Sequence, residues 1–149
     1  MAEFTAKKFV YKTSIKWEAQ KVGLLSSVDK PSFKVSTPPE FRGHPGIWTP
    51  EDLFVASVNS CIMTTFFFFL EKEGIELLHY ESDAEGVLER VESKLMFSEI
   101  KVRPKIRIKA KNHVENIKKI IALSERYCLI SNSIKVKIVI LPEIEQEGG

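Results

Sequence analysis

TPEDLFVASVNSCIMTTFFFFLEKEG, residues 49–74, is the stretch that decides the fold. Thr49 can cap a helix, Pro50 suits the first helical position, and Glu51 and Asp52 suit the positive end of the helix dipole. Gly74 is the matching stop. The stretch between them reads as a helix of about six turns at 3.6 residues per turn, with Cys61 near its middle. Its second half, Ile62 to Leu70, is apolar around the whole circumference, and such a helix is buried on all sides. A chain of 149 residues has difficulty surrounding it, so we expect a second subunit to complete the burial. The block from Ile62 to Leu70 is broken by Thr64 and Thr65, and it is far short of the roughly 20 apolar residues of a membrane span.

Alternation takes over on both sides of this helix. Upstream, Phe9, Tyr11, Thr13, Ile15 and Trp17 alternate with Lys8, Lys12, Ser14 and Lys16, which predicts a half-buried strand over 9–17. Val22-Gly23 fits a turn, and Leu24 to Val28 and Phe33 to Ser36 predict two short strands around the turn residues Asp29-Lys30-Pro31. Residues 37–48, with Pro38, Pro39, Gly43, Pro45 and Gly46, form a loop. Downstream, Ile75 to Leu88 predicts a strand with His79, Glu81, Asp83 and Glu85 on one face and Leu78, Tyr80, Ala84 and Leu88 on the other. Lys94 to Lys111 follows, with Lys101, Arg103, Lys105, Arg107, Lys109 and Lys111 opposite Val102, Ile106, Ile108 and Ala110. Asn112 then caps a second helix, with Glu115 completing a capping box. The apolar stripe Val114, Ile117, Ile120, Ile121, Ser124, Tyr127 puts Cys128 at that helix's core-facing end. Ile134 to Leu141 is a last strand, stopped by Pro142. The order βββ-α-ββ-α-β is an α+β protein with mostly antiparallel sheet, a long central helix and a second helix.

Composition narrows the function. Apolar residues make up 44% and the length is that of one domain, residues 1–149, with a sizeable core. A net charge of +2 does not point to nucleic acid or to an anionic membrane. The six alternating cations of 101–111 face Glu81, Asp83, Glu85 and Glu89 on the neighbouring strand, which is ordinary cross-strand pairing. His44, His79 and His113 show no metal-ligand spacing with the cysteines, so we expect no metal. Gly43-His44-Pro45-Gly46 matches neither nucleotide fingerprint, and we expect no cofactor. MAEFTAKKFVYK at the start holds no apolar run of signal-peptide length, so a cytoplasmic protein is expected. In a reducing compartment the two cysteines, Cys61 and Cys128, are inert core residues, part of a metal site, or redox groups.

Pro50-Glu51-Asp52-Leu53-Phe54, then Ala56 and Cys61, resembles the "(N/T)PE-x-L-(F/I)-x-A…C" helix start of the OsmC/Ohr family of organic hydroperoxide reductases. Ser36-Thr37-Pro38 and Phe41-Arg42-Gly43-His44-Pro45-Gly46 are similar to that family's "STP…GG-x-G" approach, and Cys128-Leu129-Ile130-Ser131-Asn132-Ser133 to its "CP-x-SNA" second-cysteine motif. The resemblance covers roughly residues 9–141. It implies an intertwined homodimer and a thiol-dependent peroxidase. Cys61 would be oxidised by an organic hydroperoxide to a sulfenic acid, Cys128 would resolve it to a Cys61–Cys128 disulfide, and an external dithiol would restore both.

The family holds its nucleophile as a thiolate with an arginine of the first hairpin, anchored by the glutamate that Glu51 matches. Aligned on Ser26-Ser27 and Ser36-Thr37-Pro38, the arginine's slot falls on Lys21, a point charge without the guanidinium fork, while Arg42 offers a guanidinium from the neighbouring loop. The proline after the second cysteine is replaced by Leu129. Glu51 and Cys61 stand about 15 Å apart along one helix, so Glu51 is expected to serve the Cys61 of a partner chain. The alternative is a relative of the same fold that binds a small apolar ligand or senses oxidants without efficient turnover. Phe66 to Phe69 can serve both core packing and the apolar wall that either reading needs.

Overall fold

A computed structural model describes residues 7–109 and 114–147. Two compact units divide the chain at Leu53/Phe54.

In the first unit, β1 (Ser14–Ala19), β2 (Val22–Ser26) and β3 (Phe33–Ser36) form an antiparallel sheet in that order. The hairpin turn is Gln20-Lys21, with Gln20 in the left-handed region at φ 51°, and not the expected Val22-Gly23. Gly23 lies inside β2, where a Cβ would meet Ile15 Cδ1 at 3.1 Å and the Lys16 carbonyl at 3.3 Å. The glycine is there for close packing, not for a turn. The expected half-buried strand over 9–17 is also corrected. The strand begins at Ser14, and every residue of β1 is exposed, because β1 is an edge strand that nothing in its own unit covers. Asp29, at φ 59°, turns the chain between β2 and β3, as its residue type predicts. The loop after β3 folds back on itself. Gly43 N–H donates to the Pro38 carbonyl at 2.9 Å and Ser36 N–H to the Trp48 carbonyl at 2.9 Å.

The long helix is α1 (Pro50–Glu73). Thr49 caps it, with Asp52 N–H donating to Thr49 Oγ1 and Thr49 N–H to Asp52 Oδ2, each at 3.0 Å. Gly74 ends it at φ 66°, with Ile75 N–H donating to the Leu70 carbonyl at 3.3 Å. By length and composition alone α1 could cross a membrane, a test that the core helix of a soluble protein also passes.

In the second unit, β4 (Leu77–Val91) and β5 (Lys94–Ile108) form a long antiparallel hairpin. α2 (Val114–Tyr127) follows, then β6 (Lys137–Ile140) and β7 (Glu143–Gln146). Both last strands run parallel to β5, end to end along its free edge. The single final strand of the sequence reading is therefore corrected to two: Pro142 ends β6, and pairing resumes at Glu143. Leu77 packs against the core and Leu78 is exposed, the reverse of the expected facing, because a bulge between Leu77 and His79 shifts the register. The expected strand end at Ala110 and Lys111, the Asn112 cap and His113 lie outside the described residues.

One stripe of α1, Val58, Ile62, Phe66 and Leu70, is buried at i, i+4 spacing. It packs on Ile100, Val102, Ile106 and Ile108 of β5 and on Ile117, Ile120 and Ile121 of α2. Burial of each such side chain is worth about 1.5–3 kcal/mol. The other faces of α1 are only partly covered by its own chain, and Phe67 and Phe68 are exposed, as expected of a helix that one chain of this size cannot surround. On the other face of the hairpin Glu81 pairs with Lys105, Asp83 with Arg103 and Glu85 with Lys101, and Arg103 reaches Glu85 at 3.5 Å.

Candidate functional site

Cys61 sits on α1 one position before the buried Ile62, so its side chain lies at the edge of the core and is partly exposed. Thr65 is one turn further on. Its hydroxyl donates to the Cys61 carbonyl at 2.7 Å and lies 3.9 Å from the Cys61 Sγ. Cys128 follows directly on α2. The buried positions Ile117, Ile120, Ile121 and Ser124 extend to it at helical spacing, and it is fully buried. After Cys128 the chain folds into a tight turn. Asn132 N–H donates to the Cys128 carbonyl at 3.0 Å, and Ser133 N–H to the Ile130 carbonyl at 3.0 Å. Cys61, Cys128 and Ile130 belong to one apolar cluster, and both cysteines are free thiols.

The two sulfurs titrate in opposite directions. Burial pushes the Cys61 thiol up, but the Ile130 N–H, the Cys128 thiol and the Leu129 N–H outweigh burial and hold it below the ordinary thiol value. Burial raises Cys128 and the neighbouring Cys61 raises it further, against the opposing Ser131 N–H; the Ser131 hydroxyl is buried without a hydrogen-bond partner. Cys61 is therefore the sulfur that ionises first, while Cys128 keeps its proton and donates it to the Cys61 sulfur. That is the asymmetry a nucleophile and its resolving partner need.

Cys61 opens into a groove of about 430 Å³ lined by Thr64, Thr65, Phe68, Phe69, Tyr127 and Leu129. The lining is apolar apart from the two threonine hydroxyls, the Tyr127 hydroxyl and the Cys61 sulfur. Of the phenylalanine run, Phe66 is core, while Phe68 and Phe69 face the groove.

Cys61 and Cys128 thus lie in one apolar cluster. Lys21 is exposed in the β1–β2 turn of the first unit. Arg42 ends the short helical turn Pro39–Phe41 in a left-handed conformation, φ 65°. Glu51 is in the first turn of α1, with its Oε1 buried and without a hydrogen-bond partner. Among the described residues no ion pair joins Glu51 to Lys21 or to Arg42. Sequence reasoning gave no role beside Cys61 to Thr65, nor to Leu129, Ile130 and Ser131, which it read only as part of the second-cysteine motif. Thr65 could have been found from its i+4 spacing to Cys61. The other three act through backbone groups or a turn, which side-chain patterns do not report.

The OsmC-like protein family model matches residues 43–142. Among solved structures, an OsmC-like protein of unknown function from Vibrio cholerae superposes with a TM-score of 0.84 at 18% identity, covering 91% of this chain and 99% of that one. An organic hydroperoxide resistance protein OsmC from Legionella pneumophila gives 0.69 at 20%, covering 93% and 99%. An organic hydroperoxide resistance protein from Elizabethkingia anophelis gives 0.74 at 15%, covering 95% and 99%. At these identities the likeness is one of fold. No curated protein sequence matches the chain. With two thirds of its length under the family model and the same architecture across nearly all of it, the chain belongs to the OsmC-like protein family.

Proposed function

We propose that this protein is a thiol peroxidase that reduces organic hydroperoxides to alcohols. The observation that carries the reading is the pair of free thiols, one held towards the thiolate at the foot of an apolar groove and one kept protonated beside it. The Cys61 thiolate attacks the distal peroxide oxygen. A sulfur–oxygen bond forms, the oxygen–oxygen bond breaks, and the alkoxide leaves and takes a proton to become the alcohol. The Cys61 sulfenic acid then condenses with the Cys128 thiol to a disulfide and water. An external dithiol reduces this disulfide and is itself oxidised.

Glu51 and Lys21 keep the roles the family resemblance gives them, Lys21 as the cation near the peroxide and Glu51 as its anchor. The buried, unpartnered Glu51 Oε1 supports a donor at that point. A second copy of this chain covers α1 and the exposed Phe9, Tyr11, Ile15 and Trp17, giving a homodimer that works in the cytoplasm. The test is peroxide consumption by the reduced protein with an organic hydroperoxide and a dithiol. Turnover that Cys61→Ser abolishes supports the reading; turnover that survives in Cys61→Ser, or none in the native protein, overturns it. One observation favours the second reading, an oxidant sensor or apolar-ligand protein: every group that lowers Cys61 is uncharged. A sensor would form the disulfide once and turn over poorly with dithiol.

A further inference from the structure

Thr64 and Thr65 are the only polar residues between Ile62 and Leu70 of α1. Both hydroxyls reach back to one oxygen. Thr64 Oγ1 donates to the Cys61 carbonyl at 3.1 Å, and Thr65 Oγ1 donates to the same carbonyl at 2.7 Å. That oxygen also belongs to the helix ladder, where the Thr65 N–H is its partner. A carbonyl oxygen has two lone pairs, so three donors crowd it and one hydroxyl is surplus. The Thr65 oxygen has a second neighbour, the Cys61 Sγ at 3.9 Å, and either atom of that contact can donate. A hydroxyl has one proton. With that proton on the carbonyl, the Thr65 oxygen meets the sulfur with its lone pairs, and the Cys61 S–H is the donor. This arrangement suits the thiol. It opposes the thiolate, which has no proton to give, and the attack on a peroxide requires the thiolate.

We propose that Thr65 is a switch: as Cys61 ionises, the Thr65 hydroxyl turns from the Cys61 carbonyl to the Cys61 sulfur, while Thr64 keeps the carbonyl. The turn is a rotation about the Cβ–Oγ bond, and no other heavy atom of the helix has to move. The proton of Cys61 leaves through the groove, which both threonines line. Thr65 is then a catalytic residue in contact with the reacting sulfur. Thr64 is a positioning residue that acts through it, by keeping the carbonyl supplied when Thr65 lets go. The two threonines that interrupt the apolar block of α1 share one task. The proposal rests on the thiol-peroxidase reading only for what the thiolate does next.

The experiment is site-resolved alkylation of Cys61 across pH in the reduced native protein and in Thr65→Val, Thr65→Ala, Thr65→Ser, Thr64→Val and the double variant Thr64→Val/Thr65→Val. Thr65→Val and Thr65→Ala remove the hydroxyl. Each should raise the midpoint by about one pH unit, about tenfold less thiolate below it, as loss of one hydrogen bond to a charged group implies. Thr65→Ser keeps the donor and should keep the native midpoint, which a merely structural role of the threonine does not predict. Thr64→Val should raise the midpoint by less. Added to Thr65→Val it should change nothing, because its effect passes through Thr65. A native midpoint in Thr65→Val or Thr65→Ala overturns the proposal, and so does a rise in Thr65→Ser as large as theirs. An effect of Thr64→Val that persists in the double variant overturns the part given to Thr64. The expected midpoints in a protein inert to peroxides leave the switch standing and refute the peroxidase reading instead.

Discussion

Cys128 has two separable duties, and a pair of substitutions tells them apart. It resolves the sulfenic acid, and before that its protonated thiol donates to the Cys61 sulfur. Cys128→Ala removes both duties, whereas Cys128→Ser removes only the first, because a hydroxyl remains to donate. A hydrogen bond to a charged group is worth about 1.5–3 kcal/mol, and a thiol is a weak donor, so the low end applies. About 1.4 kcal/mol is one pH unit, so Cys128→Ala should raise the Cys61 midpoint by about one and slow the peroxide step about tenfold at a pH below it. Cys128→Ser should leave that step near the native rate. Both variants should accumulate a Cys61 sulfenic acid that dimedone traps, since neither can close the disulfide. Cys128 is fully buried, so Cys128→Ala should also cost about 1–2 kcal/mol of stability from the space left by the sulfur. The assay is stopped-flow mixing of reduced protein with an organic hydroperoxide across pH, with mass spectrometry of the dimedone adduct. If Cys128→Ala has the native midpoint, the donor role is refuted. If neither variant accumulates the adduct, the resolving role is refuted.

Phe68, 58% exposed, walls the groove, and a bulky apolar peroxide would cover it. Phe68→Ala should lower kcat/KM for such a peroxide about tenfold, from about 1–2 kcal/mol of lost apolar burial, with little change for hydrogen peroxide in the same assay. Gly43→Ala would place a Cβ 1.5 Å from the Thr37 carbonyl oxygen, so the 37–48 loop must rearrange; denaturant unfolding should show a loss of about 3 kcal/mol or more. Ile100→Ala, at a fully buried position of β5, should cost about 2–5 kcal/mol in the same measurement.

Much of the architecture is legible because it rests on local signals. Thr49, Pro50 and Gly74 mark the ends of α1 through capping and φ alone, and the 3.6-residue stripe of α2 leads to a buried Cys128. What escaped depends on partners distant in the chain. The Leu77 bulge is set by pairing with β5, and β7 forms only because β5 still has a free edge after Pro142. Gly23 reads as a turn residue until the Ile15 side chain is seen packed against it. At the site, the two cysteines and the phenylalanine wall were legible as residue types. The groups around Cys61 were not: Leu129 and Ile130 come beside it only because the chain turns after α2.

The central claim is that Cys61 and Cys128 form one redox pair driven by an organic hydroperoxide. Its most direct test is to add one equivalent of an organic hydroperoxide to reduced native protein and to follow both the alcohol and the thiols by mass spectrometry. The account predicts one equivalent of alcohol, a chain lighter by about two mass units (two hydrogens lost), and a Cys61–Cys128 peptide pair that a dithiol reverses. Alcohol without the linked pair, or thiols unchanged in the presence of peroxide, would contradict it.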